Sequence, residues 1–112
     1  MLLSFSNRRM EKEFSDMRLL QKRWGAIQAR LIARRLVELQ AAENLATLKT
    51  LPQVRAHELS GNRAGQISLD VKHPYRLLIM PDYSDPPRKA DGGLDWDKVT
   101  KMQVLSVEDT HE

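Results

Sequence analysis

Three histidines, His57, His73 and His111, have the widest chemical repertoire in this sequence, because an unperturbed imidazole exchanges its proton near neutral pH. Their spacing offers neither an i, i+4 pair nor a His-x-His, and cysteine is absent, so neither a metal site nor a disulfide is expected. No glycine-rich phosphate loop, Ser-His-Asp arrangement or glycosidase-type carboxylate pair stands out, and no cofactor is expected. Two arginines accompany the histidines. Arg63 lies in the short stretch Gly61 to Gly65, and Arg76 interrupts the apolar run Tyr75 to Met80. Strand alternation groups Arg76 with Leu78 and Met80 and sets Tyr75, Leu77 and Ile79 on the other face. An arginine there must meet a carboxylate, for which Asp109 is available, or face an anion-receiving surface. Imidazoles and guanidiniums on a basic, metal-free surface suit cleavage of RNA by its own 2′-hydroxyl. That reaction needs a base for the hydroxyl, cations for charge building on the phosphate and an acid for the leaving 5′-oxygen.

The elements that must position these groups follow from hydrophobic period. Leu2, Leu3 and Phe5 predict a short strand before Ser6 and Asn7, either of which can cap a helix. Met10, Phe14, Met17, Leu20 and Trp24 recur at steps of three and four, predicting a helix with one buried stripe that Gly25 interrupts. Ile27, Leu31, Leu36 and Leu39 mark a second helix, with Arg30, Arg34 and Arg35 on its polar side. The two make an αα-hairpin. An irregular connector, 45 to 52, leads into alternation: a strand through Val54 and Ala56, a turn at 61 to 65, then Ile67, Leu69 and Val71, then Tyr75 to Met80. Residues 82 to 98 hold two prolines, Gly92-Gly93 and five aspartates and read as a long acidic loop before a last strand, Val99 to Val107. The expected order is β-α-α-β-β-β-β: an α+β fold with helices on one face of a mainly antiparallel sheet.

Bulk properties limit the classes. A chain of 112 residues suits a single domain, 1 to 112. With 41% hydrophobic and 29% charged residues, and no apolar run near the roughly 18 residues of a membrane span, a cytoplasmic protein without a membrane partner is expected. The net charge of +3 is unevenly spread: residues 1 to 40 carry 9 Lys or Arg against 4 Asp or Glu, whereas 82 to 112 carry 4 against 8. A basic body concentrates polyanions by counterion release and steering.

The assembled motifs resemble the HigB-type branch of the RelE superfamily, the toxins of bacterial toxin-antitoxin pairs (the plasmid maintenance killer proteins). The likeness rests on His57-x-Leu59-x-Gly61-x-Arg63-x-Gly65-Gln66, Tyr75-Arg76-Leu77, the stretch Asp95-Trp96-Asp97-Lys98-Val99-Thr100, and the closing Glu108-Asp109-Thr110-His111. It covers nearly the whole chain and implies a RelE-like, microbial-RNase-type fold. It further implies a ribosome-dependent endoribonuclease that cuts messenger RNA, stops translation in the bacterial cytoplasm and is neutralised by a helix-turn-helix antitoxin, with operator DNA as a target of the toxin-antitoxin complex. By position, His57 becomes an acid-base or substrate-binding group. Arg63 and Arg76 bind the scissile phosphate, and Asp109 and His111 complete the site, with His111 the leading proton-transfer group. Arg8, Arg9, Lys22, Arg30, Arg34 and Arg35 become contacts to ribosomal RNA phosphates. Thr110 stands where the family commonly has an aromatic residue, and Ser60 and Ala64 stand where related toxins have lysines. Two other classes remain open: a noncatalytic protein of the same fold that binds RNA, ribosome or antitoxin, and a small DNA-binding regulator, for which no helix-turn-helix pattern is visible.

Overall fold

A computed structural model describes residues 1 to 110. The elements are β1 (Leu2–Phe5), α1 (Arg8–Phe14), α2 (Met17–Ala41), β2 (His57–Glu58), β3 (Ile67–Asp70), β4 (Tyr75–Pro81) and β5 (Lys101–Asp109). The fold is therefore α+β in the expected order, with all strands in one sheet ordered β1-β5-β4-β3-β2. β1 lies parallel to β5, and every other pairing is antiparallel. None of the helices among the described residues is long and apolar enough to cross a membrane.

The helical half departs from the expected pattern in an earlier break and in the stripe that its second part buries. The first break falls at Ser15 and Asp16, because Asn7 caps α1 through Met10 N–H and Asp16 starts α2 by accepting from Arg18 N–H. Such caps satisfy amides that have no intrahelical partner. Gly25 does interrupt the helical path, as a kink inside α2 with φ 80 and ψ 164. A β-carbon at Gly25 would meet nothing within 4 Å, so only backbone strain opposes a side chain there. Gly25→Ala is expected to lose about 2 kcal/mol, read as a lower urea midpoint at unchanged m.

The second stripe is also centred differently from the expected one. Ile27 is 63% exposed, and the buried positions of α2 after the kink are Gln28, Ala29, Ile32, Arg35, Leu36 and Leu39. Arg35 is thus not on the polar side. Its Nε donates to the Asp70 carbonyl at 2.6 Å, Nη2 donates to the Gln53 carbonyl at 3.0 Å, and Nη1 pairs with Glu38 at 2.7 Å. Gln28 repeats the device by exchanging two hydrogen bonds with the backbone of Lys72. Polar side chains of α2 thereby reach the end of β3, the loop after it and the segment before β2, whose open backbone groups they satisfy.

The connector at 45 to 52 is largely ordered: Leu45–Thr50 forms a 3-10 turn that buries Leu45 and Leu48 completely. The strand expected through Val54 shortens to His57–Glu58, because Arg55 adopts a left-handed φ of 48. The acidic loop is pinned rather than featureless. Arg88 and Leu94 form an isolated bridge, and Trp96–Lys98 forms a turn. Lys49 Nζ sits 4.0 Å above the Trp96 ring, and the Trp96 indole N–H donates to Glu58. The Tyr83 hydroxyl accepts from Thr100 N–H at 2.9 Å. Burial raises the Tyr83 pKa, but the Thr100 hydroxyl and N–H, with the Lys101 ammonium, outweigh it and leave the phenol below its usual value. Val99 closes the Trp96 turn, so the last strand is shifted by two residues along the chain, beginning at Lys101 and ending at Asp109.

Candidate functional site

The sheet buries one face under the helices. Ile67, Leu69, Leu77, Ile79, Met102 and Val104 belong to that core, with Val107 packed against it. The register then dictates what occupies the other face: His57 opposite Ser68, Ser68 opposite Leu78, Asp70 opposite Arg76, Arg76 opposite Glu108 and Leu78 opposite Ser106. Paired residues share a face, so a band of ionisable and hydroxyl groups crosses four strands. Leu78 is fully buried yet outside the helix-side core. Arg63, from the 59 to 66 turn, reaches across to Glu108 of β5.

Each arginine of the band is aimed by a carboxylate. Arg76 Nε lies 3.1 Å from Asp70 Oδ1, and its Nη1 donates to the Tyr75 carbonyl. The other Asp70 oxygen is 3.5 Å from Arg55 Nε. Arg63 Nη2 donates to Glu108 Oε1 at 3.0 Å, and the Ser106 hydroxyl donates to Glu108 Oε2 at 2.5 Å. The Ser106 hydrogen bond, then that from Arg63, hold the Glu108 carboxyl below its ordinary pKa against the opposing effect of burial. A carboxylate with a lowered native pKa contributes stability above its unfolded pKa and loses it as pH falls through the native value. The stability gap between wild type and Glu108→Gln should therefore be constant near neutral pH. It should begin to close near the ordinary glutamate value of about 4.3 and go on closing until pH has fallen through the lowered native value, as chemical denaturation across that range would read.

Two hollows open on this face and share one residue. The first, about 460 Å³, is lined by Arg55, Ala56, His57, Ser68, Asp70 and Arg76. The second, about 710 Å³, is lined by His57, Leu59, Ser60, Gly61, Asn62, Arg63, Gln66 and Thr110. His57 is exposed on the edge strand between them. In the second, the Gln66 amide oxygen is buried without a hydrogen-bond partner among the described residues, an acceptor whose desolvation is uncompensated. The arrangement offers an imidazole between guanidiniums, which can exchange a proton beside a bound anion.

The structure thus brings together three of the sequence-nominated residues, His57, Arg63 and Arg76. Asp109 does not join them. It stands opposite Tyr75, whose ring packs edge-on against Trp24 of α2, and so belongs to the helix side of the sheet. The carboxylate opposite Arg76 is Glu108, and the one bonded to it is Asp70. His111 lies outside the described residues; Thr110 lines the second hollow. Of the basic residues nominated for RNA, Arg30 and Arg34 are exposed on α2. Arg9 and Lys22 line a separate hollow between α1 and α2, with Arg8 exposed at the start of α1. Arg35 is withdrawn from any such role by its burial. Sequence reasoning missed Arg55, Asp70 and Glu108. The alternation Ile67, Leu69, Val71 already left Asp70 among the polar partners, but its meeting with Arg76 depends on the hairpin register.

No family model matches the chain, and no match is found among curated proteins or solved structures.

Proposed function

We propose that this chain is a RelE-superfamily, HigB-type toxin: an endoribonuclease that cuts messenger RNA on the ribosome, arrests translation in the bacterial cytoplasm and is neutralised by a helix-turn-helix antitoxin. The observation that carries the reading is the placement of His57 between two hollows walled by Arg63 and Arg76, on the sheet face the helices leave uncovered. The 2′-oxygen of a nucleotide attacks the adjacent phosphorus; the new bond yields a 2′,3′-cyclic phosphate, and the bond to the 5′-oxygen breaks. One imidazole takes the 2′-hydroxyl proton and a second group protonates the leaving oxygen. His57 and His111 are the candidates for these roles. Arg63 and Arg76 would meet the charge on the non-bridging oxygens. Each guanidinium has five N–H donors, and the carboxylate bonds of Arg63 and Arg76 occupy only part of each set.

Expression from a tightly controlled promoter should arrest bacterial growth, and purified protein should cut messenger RNA only when ribosomes are present. His111→Ala should slow cutting by 10²- to 10⁴-fold, the range for a general acid or base. A wild-type chain that is harmless and cuts nothing would sink the proposal. Co-sedimentation with ribosomes without cleavage would instead favour a noncatalytic binding protein of this fold. Thr110, where related toxins carry an aromatic residue, is the feature that points that way.

A further inference from the structure

We propose that Arg55 binds a backbone phosphate of RNA in the hollow that it shares with Arg76, adjacent to a phosphate at Arg63, so that the strand crosses the sheet face with His57 between the two phosphate positions. The proposal rests on the RNA-binding part of the reading above and not on cleavage. Its first support is the backbone. Arg55 is the non-glycine residue with a left-handed φ, 48, among the described residues. For an L residue with a side chain that conformation is disfavoured and persists only where surroundings impose it, most often at functional sites. The Val54 carbonyl before it accepts from Asp70 N–H at 2.8 Å, which anchors the kink against the end of β3.

The ion pair does not account for this strain. The Arg55 side chain is 75% exposed and its Nε stands 3.5 Å from Asp70, a solvent-screened contact of little worth. Asp70 is already engaged by Arg76 at the shorter distance of 3.1 Å. One carboxylate between two guanidiniums leaves a surplus positive charge. That surplus borders the hollow of about 460 Å³ shared by Arg55, His57, Ser68 and Arg76. The chemistry that answers it is a singly charged oxyanion able to take a planar fork of N–H donors, which a phosphodiester is. Because His57 lines this hollow and the Arg63 hollow alike, a single strand can place consecutive phosphates in the two.

The test uses the full chain and a fluorescein-labelled eight-nucleotide 2′-O-methyl oligoadenosine, whose capped 2′-oxygens prevent cleavage. Anisotropy titrations at several salt concentrations would compare wild type, Arg55→Gly and Arg55→Lys, with thermal unfolding of each. Arg55→Gly should weaken binding and flatten the plot of log affinity against log salt by about 0.7, the share of one phosphate contact on a single strand. Its Tm should stay level or rise, since glycine relieves the positive φ. Arg55→Lys should retain the wild-type slope. Equal affinity and slope in wild type and Arg55→Gly would overturn the proposal, as would failure of the wild type to bind the oligonucleotide. Ribosomal cleavage, scored separately, keeps the two readings apart. A protein that binds through Arg55 but never cuts refutes the nuclease alone, and one that cuts with Arg55→Gly indistinguishable from wild type in binding refutes the Arg55 contact alone.

Discussion

Arg35→Ala is expected to destabilise the protein by about 3 kcal/mol, the usual consequence of removing one partner from a buried ion pair. For a domain of 112 residues that corresponds to a fall in Tm of roughly 10 to 15 °C. The size follows from what would be stranded. Glu38 would lose its 2.7 Å partner, and the carbonyls of Asp70 and Gln53 would lose theirs. Each stranded group keeps its desolvation cost while losing the compensating bond. Arg30→Ala and Arg34→Ala, from exposed positions on the same helix, should stay within about 0.5 kcal/mol of wild type. Thermal melts of the three variants separate the roles directly. A stable Arg35→Ala protein would mean that Arg35 is not the strut between α2 and the end of β3.

Arg76→Ala should carry a large functional effect, a fall of 10² to 10³ in the rate of messenger RNA cleavage on the ribosome, comparable to losing one transition-state donor. Its stability should change little. The Arg76–Asp70 pair is partly exposed, with both side chains 26% accessible, and such pairs contribute at most about 1 kcal/mol. Arg76→Lys keeps the charge but loses the planar fork, so it should fall between wild type and alanine. Single-turnover cleavage at saturating ribosome, beside a melt of each variant, checks both halves. Unchanged cleavage by a folded Arg76→Ala protein would remove Arg76 from the site.

The site was legible in the sequence where chemistry alone marks a residue. His57, Arg63 and Arg76 stood out as groups in unusual settings, and the structure gathers them around two adjoining hollows. Arg55 did not stand out, because nothing in the letters Val-Arg-Ala announces a left-handed backbone. Arg35 misled for a related reason. Its helix stripe was counted from Ile27, but at about 100° per residue position 35 falls between Leu31 and Leu39, so it turns inward with Ile32, Leu36 and Leu39 while Ile27 is left at the exposed margin.

The amino-acid sequence by itself determined the α+β order of elements, since hydrophobic periods of 3.6 and 2 are local properties of the chain. It likewise determined which strand faces are apolar. Which carboxylates meet which arginines was decided only by tertiary structure, and the reason is a single extra residue. Along the far end of the β4 and β5 pairing, Met80 lies opposite Gln103 and Ile79 opposite Val104, but past the irregularity Leu78 lies opposite Ser106, leaving Leu105 over. Carried on without it, the first register would place residues 107 and 109 on the Arg76 face. With Leu105 inserted, Glu108 takes that face and Asp109 moves to the helix side, because strand side chains alternate and a shift of one residue reverses them all.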